Sequence, residues 1–376
     1  MQAFLTRRAL LLSALVFAYP AAASAQNVEL VRVGPIYITD ISADGSAATG
    51  QLVSSYETVH WTAATGLTNL GRGTFKPLRK ISGTPGLSDD GLTVAATILD
   101  DTGTYATSGL WTAATGWTQL TPPLPPGGGI MDLEDSAVFG ISGNGKVVTG
   151  LFWRPGATDG SAHGSRWSAK TGMADMGSDG NSSRIDDANG NGSVLAGWDE
   201  HPQYGTRRAA VWVNGVKTVL DNTDWPSEAA AVNRAGTIVV GQAANPARDF
   251  EMSAAVWKWD GSAWQVSHLG LLPNAKQAGL TYANGVSEDG SVVVGMARRS
   301  FLEYETQGFI WTAEGGMVEA MQYLKQQGVP AAYAKHFRVS NLVALSRDGL
   351  VIGAVGQGTQ PPYAIGSLLI KRSAGR

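Results

Sequence analysis

The chain has no cysteine among its 376 residues. Disulfide staples are excluded, so the fold must be held by its core and its topology. Histidine is scarce as well. His60, His163, His201, His268 and His336 stand singly, without HExxH or other paired-ligand spacing. That scatter calls for no metal and no cofactor. A G-x-S-x-G nucleophile elbow is also missing. Charge of one sign is not in excess: 28 Lys and Arg against 31 Asp and Glu leave −3, without the basic footprint of a nucleic-acid binder. After the first 25 residues, no apolar run is long enough to span a bilayer.

Those first residues, "MQAFLTRRALLLSALVFAYPAAASA", have a basic start at Arg7 and Arg8, an apolar run over 9–18 and small residues at Ala23 and Ala25. This is the layout of a cleavable secretory signal, with cleavage expected after Ala25. The paired arginines also admit the twin-arginine route. The expected product is one domain over 26–376, exported to the periplasm or beyond the cell, soluble and monomeric.

Glycine, by contrast, is abundant at 48 residues, and tryptophan reaches 12. Tight turns between buried aromatic strands fit that composition better than long helices. The hexamer "WTAATG" occurs at Trp61–Gly66 and again at Trp111–Gly116, which points to a repeat of about that spacing. A second motif, "ISADGSAATG" at 41–50, recurs with its glycine at Gly45, Gly91, Gly145, Gly192, Gly236, Gly290 and Gly349. Three residues before each stands Ser42, Ser88, Ser142, Asn189, Asn233, Ser287 or Ser346. Ser or Asn can bond the backbone two or three residues on, and Gly accepts the positive φ of the turn. A β-branched run then leaves as a strand.

A Trp-bearing hairpin follows in six copies, at Trp61, Trp111, Trp167, Trp212, Trp257 and Trp311. The unit is therefore four antiparallel strands in about fifty residues. Seven such units predict an all-β, seven-bladed β-propeller. The recurrent Trp is expected to pack between neighbouring blades. Unit seven, with "YAIGSLLI" at 363–370, lacks a fourth strand, whereas "VELVRV" at 28–33 has no unit of its own. The N-terminal strand should thus complete the last blade and remove the open edges. "GMVEAMQYLKQQGV" places Met317, Met321 and Leu324 on one helical face, which predicts a short inserted helix over 316–328.

These repeats resemble the HAF family of extracellular bacterial repeat proteins, which carry G-I-S-x-D-G-S-x-V-V-G followed by A-F-x-W-T…G-M-x-x-L-G. Unit six, "GVSEDGSVVVG…GFIWTAEGGMVEAM", matches best, and the likeness runs over 36–370. The resemblance implies an exported location and offers no catalytic residue to carry over.

The turns within each unit are short and uniform and share one face of the ring. The links after the second strand and between units are longer and differ in every copy, so a ligand site is expected on their face, around the central channel. The richest such loop is "GWDEHPQYGTRR" (197–208), with Trp198, Asp199, Glu200, His201, Tyr204, Arg207 and Arg208. Asp224 and Trp225 follow in the next link, and Arg298 lies in "RRSFLEYE" (298–305). "MDLEDS" (131–136) is a further polar loop. Aromatics beside carboxylates and arginines suit a sugar or a peptide.

Two look-alike motifs fail. "DANGNG" (187–192) opens like an EF-hand loop, but its twelfth position is Trp198 in place of Glu. The S-x-D-G turns miss the sialidase Asp-box by one residue of spacing. The expected role is a binding or scaffolding module for a glycan or an envelope protein. The alternatives are a glycan hydrolase or lyase and a structural surface-coat component. Clustering of Asp199, Glu200, Arg207, Asp224 and Arg298 round one mouth would favour the enzyme.

Overall fold

In every one of the seven turns, the Ser or Asn side chain folds back over the turn it starts. The reach is five residues, longer than the two or three expected from the sequence. Ser42, Ser88 and Ser142 Oγ accept the N–H of Ala47, Thr93 and Val147 at 2.9, 3.0 and 2.9 Å. Asn189 and Asn233 Oδ1 take Val194 and Ile238 at 3.0 and 2.9 Å, and Ser287 and Ser346 Oγ take Val292 and Val351 at 3.0 and 2.8 Å. The turn glycine is left-handed each time; Gly45, for example, has φ 68°. A side chain there is strained twice over, because a Cβ on Gly45 would also lie 2.5 Å from Val351 of the preceding blade.

The computed structural model describes residues 27–72, 83–121, 134–154, 161–221, 223–276, 279–300 and 305–373. The signal-like segment lies outside them, as do residues 131–133 of "MDLEDS" and 301–304 of "RRSFLEYE".

Seven four-stranded antiparallel sheets form a seven-bladed β-propeller. The strands of blade four, from the channel outward, are Ser183–Ala188, Val194–Glu200, Arg207–Val213 and Val216–Val219. Those of blade five are Ser227–Val232, Ile238–Asn245, Glu251–Trp259 and Trp264–Gly270. In blade seven, Phe337–Leu345, Val351–Gly358 and Ile365–Arg372 are completed by the N-terminal strand Val28–Gly34, antiparallel to the last of them. The ring is closed by the chain's own start.

The core lies between blades, and all six repeat tryptophans join it against the preceding blade. Trp61 packs with Ala344, Val351 and Leu369 of blade seven, Trp212 with Val147 of blade three, and Trp257 with Val194 and Val211 of blade four. Trp111, Trp167 and Trp311 do the same against blades one, two and five. Truncating one such buried ring costs roughly 3–5 kcal/mol in comparable cores.

The expected helix is shorter than its sequence pattern. Gly316–Glu319 is the fourth strand of blade six, with Met317 opposite Trp311 in the ladder, and the helix runs only over Ala320–Gln326. Met317 satisfies both a two-residue and a helical period, and pairing with the Trp strand wins because it completes the blade. A further turn of helix follows at Ala331–Ala334.

The innermost strands carry the feature that shapes the channel. In blades one, three, four, five and six the ladder slips at one residue, opposite Gly50, Gly150, Gly197, Gly241 and Gly295 of the second strand. Such a bulge turns consecutive side chains toward the same side. The glycine is obligatory there: a Cβ on Gly197 would lie 2.0 Å from the Arg184 carbonyl oxygen.

Candidate functional site

At one rim of the channel, backbone hydrogen bonds tie each blade to the next. Ala43 donates to the Asp89 carbonyl at 3.0 Å, Asp89 to Gly143 at 2.8 Å, Asn144 to Gly190 at 2.9 Å and Gly190 to Arg234 at 3.0 Å. Glu288 donates to Arg347 at 2.9 Å and Arg347 to Ala43 at 2.8 Å, closing the circle. Between blades five and six, the Glu288 carboxylate substitutes for the carbonyl by accepting Arg234 N and Ala235 N at 3.0 and 3.1 Å. Asp89 and Arg234 pair across the same rim. This is the short-turn face, and its uniformity follows from that seven-membered circuit.

The long-loop face at blades four and five holds most of the residues singled out in the sequence. Strand alternation divides them. Trp198 is 6% exposed, and two guanidinium groups lie over its ring, Arg184 at 5.5 Å and Arg207 at 4.4 Å from the centroid. Asp199 points the other way and is 0% exposed. It accepts Ser178 Oγ at 2.8 Å and Asp179 N at 3.1 Å, and pairs with Lys217 at 2.9 Å and Arg208 at 3.5 Å. Glu200 accepts Asn181 N and Ser182 N at 3.1 and 3.0 Å. Both carboxylates thus hold the link over 178–182 that enters blade four. Arg298 ends the second strand of blade six opposite Leu280, two blades away from Trp198.

The outer part of the loop is built differently. His201 Nδ1 accepts Gln203 N and Tyr204 N at 3.1 and 3.3 Å, which leaves the proton on Nε2. Tyr204 stacks on His201 with centroids 4.7 Å apart yet is 52% exposed. His201 Nε2 faces Asp224 at 3.6 Å, and the Asp224 side chain is 69% exposed. Its neighbour Trp225, 46% exposed, stacks on Phe250 at 4.2 Å and 18°. Two exposed aromatic stacks are therefore joined through a histidine–carboxylate contact.

Sequence reasoning missed a charged network running from this platform into the channel, a cavity of about 670 Å³ lined by the innermost strands. Glu228 is its hub, 2.8 Å from Arg184 and 3.2 Å from Arg207. Arg184 also pairs with Asp186 at 2.8 Å. Burial, then the charges of Glu228 and Asp186, pushes the Tyr282 hydroxyl well above its usual range. Burial raises Asp186 to about 6 despite Arg184, raises Asp40 to about 7, and raises Asp187 to about 8 with help from Asp40 and Asp186. One signal was available. Two residues before the turn Ser or Asn, the other blades have Gly86, Gly140, Ala231, Gly285 and Ala344, whereas blades one and four have Asp40 and Asp187.

Chemically, the platform offers ring faces, a carboxylate with free lone pairs and an imidazole N–H. It does not present Asp199 and Glu200 as a pair flanking a substrate. Among the described residues, no group of three or more His, Asp or Glu is placed to hold a metal ion, and no helix is long and apolar enough to cross a membrane.

No family model matches the chain, and no curated protein matches it. Among solved structures, it is similar to prolyl oligopeptidase B from Galerina marginata, with TM-score 0.52 and 10% identity over 94% of this chain and 49% of that one. The chain thus spans about half the length of that protein. It is also similar to the β-propeller domain of the Trilobed protease from Pyrococcus furiosus, with TM-score 0.51 and 10% identity over 92% and 97% of the two chains. That domain has an open velcro topology, whereas here the N-terminal strand closes the last blade. TolB from Acinetobacter baumannii aligns at TM-score 0.45 and 14% identity, over 76% of this chain and 62% of its own length. At such identities, the first two likenesses bear on the β-propeller fold and not on activity.

Proposed function

We propose that this chain is an exported, non-catalytic β-propeller that binds a ligand on its long-loop face across blades four and five. The observation that carries the reading is the pair of exposed aromatic stacks, Tyr204 on His201 and Trp225 on Phe250, joined by the His201–Asp224 contact. Aromatic side chains bury large areas when covered, so exposed ones on a rigid scaffold are natural binding anchors. The residues that an enzyme reading needs round one mouth are placed otherwise: Asp199 is buried between Lys217 and Arg208, and Arg298 stands in blade six. Export rests on the signal-like layout of residues 1–25 and on the repeat's resemblance to HAF-family extracellular proteins. The ligand class is an envelope component.

The test compares the wild type with the Y204A/W225A double variant for retention on an isolated cell-envelope preparation. Saturable retention of the wild type and its loss in the variant support the reading. Equal retention of both, or release of reducing ends or unsaturated sugar by the wild type, overturns it.

A further inference from the structure

The platform is costly to build, and its cost is local. Asp249 and Phe250 both have left-handed backbones, with φ 53° and 56°. Neither is glycine, and such conformations are strained for L residues. The loop that holds them is anchored: Asn245, 8% exposed, accepts Ala247 N through its side chain at 3.0 Å and Phe250 N through its carbonyl at 2.9 Å. The double reversal brings Phe250 against Trp225, whose indole remains 46% exposed. Core packing needs no such arrangement, because neither Trp225 nor Phe250 belongs to a core cluster. The strained turn serves the exposed ring.

We infer, resting on the binding reading above, that the ligand is a neutral oligosaccharide. One pyranose ring stacks on Trp225, another on Tyr204, and Asp224 between them accepts hydroxyl protons. A pyranose has a face of C–H groups and an equatorial edge of hydroxyls. The C–H face suits the negative quadrupole of an indole or phenol ring. A carboxylate beside the ring can accept two neighbouring hydroxyls in charge-assisted bonds. His201 Nε2–H, fixed as a donor by the two bonds at Nδ1, faces that carboxylate from one side at 3.6 Å.

Charge selects neutral sugars over uronates. Arg207 is answered by Glu228 at 3.2 Å and Arg248 by Glu251 at 3.5 Å. The charge left facing the ligand is Asp224, which repels a carboxylated sugar. A peptide is the weaker candidate, since peptide recognition draws on a free strand edge or a groove with side-chain pockets. The platform is made of side-chain ring faces.

The experiment titrates the purified protein with cellohexaose, laminarihexaose, chitohexaose and hexagalacturonate, followed by calorimetry and tryptophan fluorescence. At least one neutral hexaose is expected to bind with Kd between about 10 μM and 1 mM. Its trisaccharide should bind roughly fivefold or more weakly, since two stacks are engaged. Trp225→Ala should weaken binding by about 30-fold or more, and Tyr204→Ala and Asp224→Ala by about tenfold each. Melting temperatures should fall by only a few degrees, because none of the three side chains belongs to the core and each is about half exposed or more. Failure of all three neutral hexaoses to bind, equal binding by Trp225→Ala, or tighter binding of hexagalacturonate overturns the inference. If the envelope fraction still distinguishes wild type from Y204A/W225A after such a failure, the binding reading stands and only the sugar assignment falls. If it does not, both fall.

Discussion

The Asp40 carboxylate accepts the backbone N–H of Leu87 at 2.7 Å, so a side chain of blade one stitches the innermost strand of blade two. Its other oxygen takes Ile41 N at 2.8 Å. Asp187 repeats the device three blades on, between Ala188 N and Val232 N, at 2.8 and 2.9 Å. Burial nevertheless dominates, and their acidities are weakened to about 7 and about 8. A carboxyl whose pKa is raised by folding keeps its proton in the native state after the unfolded chain has lost it near pH 4. Stability from this source is therefore fully present below about pH 4, is lost as pH rises, and levels off above about pH 8. The expected loss is on the order of 2–4 kcal/mol for the pair, allowing for water in the channel. Denaturant melts at several pH values check it. In the D40A/D187A variant, which copies the Ala of blades five and seven, the slope between pH 5 and 8 should flatten. An unchanged slope would assign the pH dependence to other groups.

Gly197 stands where no side chain fits, against the Arg184 carbonyl. Gly197→Ala should cost at least about 2 kcal/mol, since the neighbour is backbone and the bulge must shift. Arg184 and its partners Asp186 and Glu228 would move with it. The matching position in blade two is Ala96, where the innermost strand is reduced to Gly86–Leu87. Ala96→Gly should therefore cost only about 0.5–1 kcal/mol. Equilibrium urea unfolding of the two variants gives the comparison, and equal losses would contradict the steric account.

The architecture was legible because each blade repeats one local solution. Ser42 and its six counterparts, the left-handed glycine after them and the Trp of the third strand each have a single structural job, so their recurrence could be counted. The bulge hid the channel chemistry. Strict alternation would put Asp186 and Asp187 on opposite sides, whereas both line the cavity. Alternation also hid the split between Trp198 and Asp199, because the loop "GWDEHPQYGTRR" begins as a strand that runs through Glu200. The exposed stacks were half visible. Tyr204, His201, Asp224 and Trp225 were legible as a polar aromatic loop, but Phe250, their fourth ring, comes from the next blade. "GMVEAM" misled for a simpler reason, since it satisfies two periods at once.

Glu228 pairs with two arginines that both lie over the Trp198 ring. Removing it leaves Arg184 deep in the wall without its second carboxylate. Glu228→Ala should destabilise by about 1.5–3 kcal/mol, the usual worth of a hydrogen bond to a charged group, because Arg184 keeps Asp186. Glu228→Gln keeps the shape and one acceptor and should cost less. Trp198 fluorescence should shift in both variants, reporting the altered guanidinium contacts on its ring. A Glu228→Ala protein that melts like the wild type would show that water in the channel already solvates Arg184.

The closing strand offers the sharpest test of the ring. Val28–Gly34 pairs with Ile365–Arg372, placing Leu30 opposite Ile370 and Arg32 opposite Leu368. Val28 and Val33 belong to the two core clusters that flank blade seven. Deleting residues 26–34 removes these side chains and opens an unpaired edge along a strand whose central residues, Leu368, Leu369 and Ile370, are buried. The truncated chain should lose its cooperative melt or aggregate, because blade seven anchors blade one as well as blade six. A synthetic peptide of sequence VELVRVG added in excess should restore part of the transition, since binding to the folded form stabilises it by mass action. A truncation that melts at the parent temperature without peptide would mean that three strands suffice for blade seven, and that ring closure contributes little to stability.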